Sequence, residues 1–498
     1  MEFSEKLSSA IHANPDKPAC EGGGQVYTKG EIAGMGDLIL GMLTDAGIAQ
    51  RASIGVIVRN RVIHGAAMLG LIGGGRWLTT IYAMQSAQAI AQEIRDTRFA
   101  AIIADRQDWS EDVVAAARET GTLGIVIDHG AAEPLSLHPE LATTGAGPFR
   151  VVEGEPGLEV LSSGTTGKPK RVVFPARILD RMIDSVKAAY VSGSAEPCIL
   201  TWPYGGIGGM CELIAATMME RYMVVLERFN VEEWVEAVER LKPRTVSGVP
   251  TVARMILDAK VPKERLASVQ YFTGGSAPMT IELQDAFEEA YGIKVIWGYG
   301  ATEFCGSVIM WTPALYDQYR RTKAGAMGKA MPGITLRTID VETGAVLPAG
   351  QQGYLEALVP QISDDWIRTT DLVTIDEDDF VFHHGRGDGA IIRGGHKVIP
   401  EKVVDCLREH PAVLDAAVVG LPDERLGAVP MAVVELRAGA EADEAALKDH
   451  VRGKLTSPQV PAKIRIVPAI PRTTSLKADL TAVRRLLEAQ EAAPEVAA

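Results

Sequence analysis

Cysteine is scarce in this 498-residue chain, and Cys20, Cys198, Cys211, Cys305 and Cys406 form neither a C-x-x-C motif nor an even set. That excludes a disulfide framework and a cysteine-rich zinc module. It points to the reducing cytoplasm, with the five thiols read as small buried hydrophobes. Positive charge is also in short supply: 50 Lys and Arg against 64 Asp and Glu give a formal net charge of −14. A nucleic-acid binder usually carries a basic face, so no nucleic-acid partner is expected. The opening MEFSEKLSSA lacks a basic region followed by an apolar run, and no signal peptide is expected. The most apolar long stretch, 66–84, carries Arg76 near its middle, which disfavours a membrane span.

Several signatures are missing as well. No HExxH motif or His/Cys cluster occurs among the nine histidines, so no zinc site is expected, and the adjacent His383 and His384 read as structural or surface residues. No G-x-S-x-G elbow supports a serine hydrolase, and no HRD or DFG signature supports a kinase. GGIGGM (205–210) and GYGATE (298–303) both fail G-x-G-x-x-G at its last position. There is no internal repeat.

What remains is an ordinary globular mix, 47% apolar and 23% charged, long enough for a large domain plus a smaller one. Apolar runs at 52–58, 100–105, 123–128, 158–161, 172–174 and 294–300 read as strands. Amphipathic segments at 85–97, 231–241 and 281–291 read as helices. The alternation implies α/β layers with largely parallel sheets. After about residue 385 the pattern changes to a helix (400–409), two strands (414–420, 429–436) and a helix (442–455), a compact α+β unit. We therefore expect a large α/β N-terminal domain of stacked sheets over 1–386, a small α+β domain over 387–488, and a disordered tail over 489–498.

The strongest chemical signal is SSGTTGKPK, residues 162–170, set between two strand-like runs. Glycines let consecutive N–H groups face one point, and hydroxyls and lysines add the donors and charge that a polyphosphate needs. It is not the GxxxxGK[ST] loop, because Pro169 stands where Ser or Thr should follow Gly167-Lys168. Read alone it could equally be a linker. Tyr299, Thr302 and Glu303 would lie at the carboxyl end of a parallel strand, the edge where α/β proteins bind ligands. There a tyrosine can stack on a base and a carboxylate can hold Mg²⁺, although such an acid is often only a helix cap. Asp371 could accept hydrogen bonds from ribose hydroxyls, or be a turn aspartate.

Seven segments in order and spacing, SSGTTGKPK, TGGSAP (273–278), GYGATE, IRTTD (367–371), GRGD (385–388), RGGHKV (393–398) and PRTTSLKADL (471–480), resemble the adenylate-forming superfamily of acyl-CoA synthetases, peptide-synthetase adenylation domains and beetle luciferases. The likeness runs over about residues 10–485 and is strongest to an acyl- or aryl-CoA ligase. It implies an ATP- and Mg²⁺-dependent enzyme that converts a carboxylic acid to an acyl-adenylate and then, with coenzyme A, to a thioester. It also implies roles. Ser162, Ser163, Gly164, Thr165, Thr166, Gly167 and Lys170 would cradle the β- and γ-phosphates. Gly274, Gly275, Ser276, Ala277, Tyr299 and Gly300 would hold adenine, and Thr302 and Glu303 the α-phosphate and Mg²⁺. Asp371 would take the ribose hydroxyls with Arg386 nearby, Asp388 would be a hinge for the small domain, and Lys477 would reach the α-phosphate and the substrate carboxylate.

The pattern departs from the family at Thr370, Arg171 and Leu476, each where glycine is usual. At 201–211 the usual aromatic or histidine of the acyl pocket is replaced by glycines, which suggests a roomier pocket for a bulky or cyclic acid, unless they merely permit a tight helix start. Trp202, Tyr204, Gly205, Gly206, Ile207, Phe304 and Cys305 are the expected lining, and Arg393, Gly394, Gly395 and Lys397 the expected coenzyme A contacts. A carrier-protein phosphopantetheine or an amine as acceptor, a catalytically retired binding homologue, and a luciferase-type oxygenase stay open as alternatives. A homodimer is a further option.

Overall fold

The computed structural model describes residues 2–161, 171–189, 196–277, 279–387, 389, 391–393, 396–423, 426–455, 457–473 and 476–491. They form two compact units that divide between Pro332 and Gly333.

The first unit is layered α/β. Its largest sheet runs in the order Leu135–Leu137, Leu123–Ile127, Ala101–Asp105, Ser53–Val58, Trp77–Tyr82, Gly157–Leu161, Arg171–Pro175. The five inner strands are parallel and the two outermost pairings antiparallel. Inner strands such as Ser53–Val58 and Ala101–Asp105 are buried at every position, as strands covered on both faces must be, so they read as continuous apolar runs. Covering helices show the opposite pattern. In Ala87–Thr97 the Ser86 hydroxyl accepts from the Ala89 N–H, and Ile90, Ala91 and Ile94 form the buried stripe. A second sheet contains the parallel strands Thr245–Gly248, Tyr271–Gly274 and Lys294–Ala301, followed by the antiparallel Gly306–Met310 and Lys329–Ala330. A third joins Cys198–Leu200, Met223–Val225, Pro18–Gly22 and Gln25–Thr28.

The second unit holds two mostly antiparallel sheets. Thr335–Ile339, Gln352–Leu358, Trp366–Ile375 and Val381–Arg386 form a meander in chain order. The other sheet is built on the long pair Val413–Asp423 and Gly427–Leu436, with Lys463–Val467 added in parallel. The elements expected after residue 385 are present, but the compact unit begins well before the expected boundary at 386/387. The reason is physical: the helix Pro400–Arg408 packs against the last strand of the meander. The expected tail also needs correction, since the helix Leu480–Glu491 continues through 489–491; residues 492–498 lie outside the described residues.

All five cysteines are free and buried, and burial pushes the Cys20, Cys198 and Cys305 thiols up to about 12, which makes them inert at neutral pH. Among the described residues no helix is long and apolar enough to cross a membrane.

Candidate functional site

Three parallel strands of the first unit end at one edge, with Gly248 beside Gly274 and Gly274 beside Trp297. Crowding selects glycine here: a Cβ on Gly274 would lie 2.0 Å from the Gly248 carbonyl oxygen and 2.6 Å from the Trp297 ring. Trp297 donates its Nε1–H to the Ala277 carbonyl at 3.0 Å, which ties the 274–277 segment to the neighbouring strand. Ser276, exposed at its tip, takes a left-handed φ of +65°.

Tyr299 does not follow the strand, as the sequence suggested, but lies within it. Lys294–Ala301 pairs in parallel up to Trp297 and from Gly298 onward pairs antiparallel with Gly306–Met310. A single turn, Thr302–Phe304, and Cys305 at φ +52° then reverse the chain. Glu303 caps no helix; its residue is exposed, Phe304 and Cys305 are buried, and the Tyr299 and Phe304 rings tilt together at 6.4 Å. Two residues that the sequence did not single out hold this hairpin. Buried Arg181 donates to the Phe304 and Ser307 carbonyls, both at 2.7 Å, and the Ser185 hydroxyl accepts from the Ser307 N–H at 2.7 Å. The exposed Glu303 carboxylate is a hard-oxygen donor of the kind that suits Mg²⁺.

Residues 162–170 lie outside the described residues, but both flanks are defined: Gly157–Leu161 and Arg171–Pro175 pair antiparallel, with Leu161 opposite Arg171. Arg171, where the family usually has glycine, pairs with Glu93 and lies 3.5 Å from Glu159. Arg150 grips Glu159 at 2.7 and 2.8 Å. Burial alone would raise the Glu159 carboxyl, but Arg150 and Arg171 outweigh it and hold the group below its usual range.

The 202–207 segment is tied to the strand Thr245–Gly248 through Ser247. Trp202 donates to the Ser247 hydroxyl at 3.2 Å, and Asn60 bridges the Trp202 carbonyl and the Tyr204 N–H at 2.8 and 2.9 Å. Tyr204 is buried, with no hydrogen-bond partner for its hydroxyl among the described residues. The glycines do not open the space expected of them: a Cβ on Gly205 would lie 2.7 Å from the Tyr82 ring, so the missing side chain is replaced by Tyr82. Gly206 caps the helix Ile207–Met218.

In the second unit Asp371 lies within a strand rather than a turn. It is buried, its N–H donates to the Thr369 hydroxyl at 3.1 Å, and His383 Nε2 lies 3.2 Å from its Oδ1. His383 is thus a neighbour of the candidate ribose carboxylate, while His384 turns to the Thr374 hydroxyl at 2.8 Å. The Arg386 backbone pairs opposite Asp371. Lys477 sits on a tight turn closed by the Arg472–Ala478 bridge and by the Thr473 N–H donating to the Lys477 carbonyl at 2.7 Å. Arg472 anchors the turn on Asp415 at 2.6 Å. Leu476 there has a φ of +61°, which explains why glycine is usual at that position. Arg393, expected to contact coenzyme A, donates its Nη1 to the Pro458 and Val460 carbonyls at 3.0 and 2.8 Å. The strand His396–Val398 contains the Lys397 backbone; Gly394, Gly395 and Asp388 lie outside the described residues.

The first unit's parallel-sheet edge gathers close-packed glycines, a tyrosine and an exposed carboxylate, at the place where α/β proteins bind ligands. The chain belongs to the AMP-binding enzyme family: the enzyme domain matches residues 7–363 and the family's C-terminal domain residues 403–477. It is 27% identical over 476 residues to a probable CoA ligase, CCL5, of Humulus lupulus, covering 89% of this chain and 84% of that one. It is 28% identical to a sulfoacetate–CoA ligase of Cupriavidus necator, covering 93% of each chain. Its fold matches ATP-bound MatB from Rhodopseudomonas palustris with a TM-score of 0.84 at 23% identity, covering 98% of this chain and 99% of that one.

Proposed function

We propose that this chain is an AMP-forming acid–thiol ligase that joins a carboxylic acid to ATP and passes the acyl group to coenzyme A. The observation that carries this reading is the sheet edge where the 274–277 segment and the Tyr299–Glu303 hairpin stand side by side. Coenzyme A as acceptor is supported by the CoA-ligase relatives across the whole chain.

A carboxylate attacking the α-phosphorus of ATP brings two anions together, so the barrier falls through alignment and charge neutralisation rather than through an enzyme nucleophile. The 162–170 segment grips the β- and γ-phosphates, the 274–277 segment with Tyr299 and Gly300 holds the base, and Asp371 with Arg386 holds the sugar. Thr302 and Glu303 face the α-phosphate, with Glu303 the ligand for Mg²⁺. Bound Mg²⁺ would neutralise phosphate charge. Lys477 steers the carboxylate, and rotation of the C-terminal residues about Asp388 exchanges this arrangement for one that admits the thiol. Gly394 and Gly395 with Lys397 line the pantetheine path, and Trp202, Tyr204, Ile207 and Phe304 line the acyl pocket. Five free buried thiols fit a cytoplasmic setting.

The test is pyrophosphate release across fatty, aryl and alicyclic acids, with and without coenzyme A, with thioester read by mass. Acid-dependent release with thioester formation supports the reading. Acid-dependent release with no thioester moves the acceptor to a carrier thiol or an amine, and no release with any acid overturns the activation step.

A further inference from the structure

We propose that His64, Asp105 and His129 form a binding site for a transition-metal dication, zinc by the chemistry of its donors. The three residues are far apart in sequence and follow none of the usual ligand spacings, which is why the sequence indicated no zinc site. The fold gathers them. Asp105 ends the strand Ala101–Asp105, and His129 follows its parallel neighbour Leu123–Ile127. His64 lies in the first turn of the helix Val62–Gly73, beyond Ser53–Val58, the strand on the other side. One ligand atom from each lies within 4.8 Å of the other two.

The geometry is close to what a metal requires. His129 Nε2 stands 3.3 Å from Asp105 Oδ2, near the roughly 3.3 Å edge of a tetrahedron with metal–ligand bonds of about 2.0–2.1 Å. The His64 and His129 ring centroids are 5.8 Å apart, and a ring nitrogen of each lies within 4.8 Å of the other and of the Asp105 carboxylate. His64 supplies the independent observation. It is wholly buried, yet neither ring nitrogen has a hydrogen-bond partner among the described residues. A buried imidazole with nothing to bond is costly unless a ligand completes it, and neutral imidazole is a good donor to Zn²⁺.

The surrounding charges leave room for a cation. Four carboxylates, Asp105, Asp108, Asp128 and Glu227, meet three guanidiniums, Arg59, Arg61 and Arg106. Arg59 has Asp108 at 2.6 Å, Arg106 has Asp128 at 2.7 Å, and Arg61 has both Glu227 at 2.8 Å and Asp105 at 2.6 Å. Arg61 can keep Glu227 when Asp105 turns to a metal, so Asp105 is the surplus anion. Two imidazoles and one carboxylate favour Zn²⁺ over Mg²⁺ or Ca²⁺, and water would take the fourth position. His129 is part-exposed and gives the ion a path in.

The experiment uses the full chain after treatment with a chelator. Zn²⁺ is titrated by calorimetry, and Co²⁺ is added separately to read the visible absorption of a four-coordinate site. One equivalent of Zn²⁺ per chain, a tetrahedral Co²⁺ spectrum and at least about a tenfold loss of affinity in His129→Ala support the proposal. His129 is exposed enough for that variant to fold, and His64→Phe, which fills its own space, should lose the Co²⁺ spectrum. No binding by the parent chain overturns the site, as does undiminished binding by both variants, which would mark an adventitious ion.

Discussion

At the scale of single residues, the turn that presents Lys477 combines a charge with a local strain. Leu476 at φ +61° carries a left-handed backbone that costs a β-carbon residue about 1 kcal/mol or more. Leu476→Gly should therefore raise stability by about 1 kcal/mol in urea unfolding, whereas Leu476→Ala keeps the strain and should gain nothing. On the proposed function the lysine stabilises charge in one step only. Lys477→Ala should slow acyl-adenylate formation by about 10²-fold or more, while thioester formation from supplied acyl-adenylate falls far less. Single-turnover assays of the two halves decide this, and equal losses would remove Lys477 from the adenylation step. His383 is a third residue to probe. It touches Asp371, so His383→Ala should raise the KM for ATP more than it lowers kcat.

At the scale of elements, the site depends on clamps that act through neighbours. Arg181 donates to two hairpin carbonyls, and Arg181→Met leaves both without that donor. We expect a loss of about 1–3 kcal/mol for each carbonyl left unpaired, together with weaker ATP binding as the 302–305 turn loosens. Thermal unfolding and ATP titration measure the two effects separately. Carboxylates inside such clamps set the acid limit. Glu159, between Arg150 and Arg171, and Asp415, between Arg408 and Arg472, titrate below their usual ranges in the fold because the arginines outweigh burial. A depressed carboxyl contributes stability that is fully present above its unfolded value, near pH 4, and is lost as pH falls through the lower folded value. The part of the urea midpoint that these carboxylates set should therefore fall as pH drops below about 4, and Asp415→Asn should flatten part of that fall.

These clamps also mark what could be read from sequence. The inner strands and the amphipathic helices were legible because each is written locally, as an apolar run or a 3.6-residue stripe. Arg181, Ser185, Asn60 and Asp415 were not, since their meaning lies in partners that the fold brings from elsewhere in the chain. The Gly205 reading failed for the same reason: a glycine says that something comes close, but only the structure says that it is the Tyr82 ring.

At the scale of the whole molecule, the meander 335–386 and the expected C-terminal domain fall in one compact unit, although the expected hinge, Asp388, lies between them in sequence. The contact that joins them is specific. The helix Pro400–Arg408 packs on Val381–Arg386, where Gly385 takes a φ of +103°. A Cβ on Gly385 would lie 2.8 Å from Glu401 Oε2 and 3.0 Å from Ile399 Cγ2. The rotation proposed about residue 388 would break this packing, so on that proposal it belongs to only one of the two arrangements. Gly385→Ala disfavours it by both backbone strain and collision. One half-reaction should then slow by about tenfold relative to the other when pyrophosphate release and thioester formation are timed in single turnovers. An equal slowing of both would mean that the packing is a fixed part of the fold, and that the turning point lies elsewhere than Asp388.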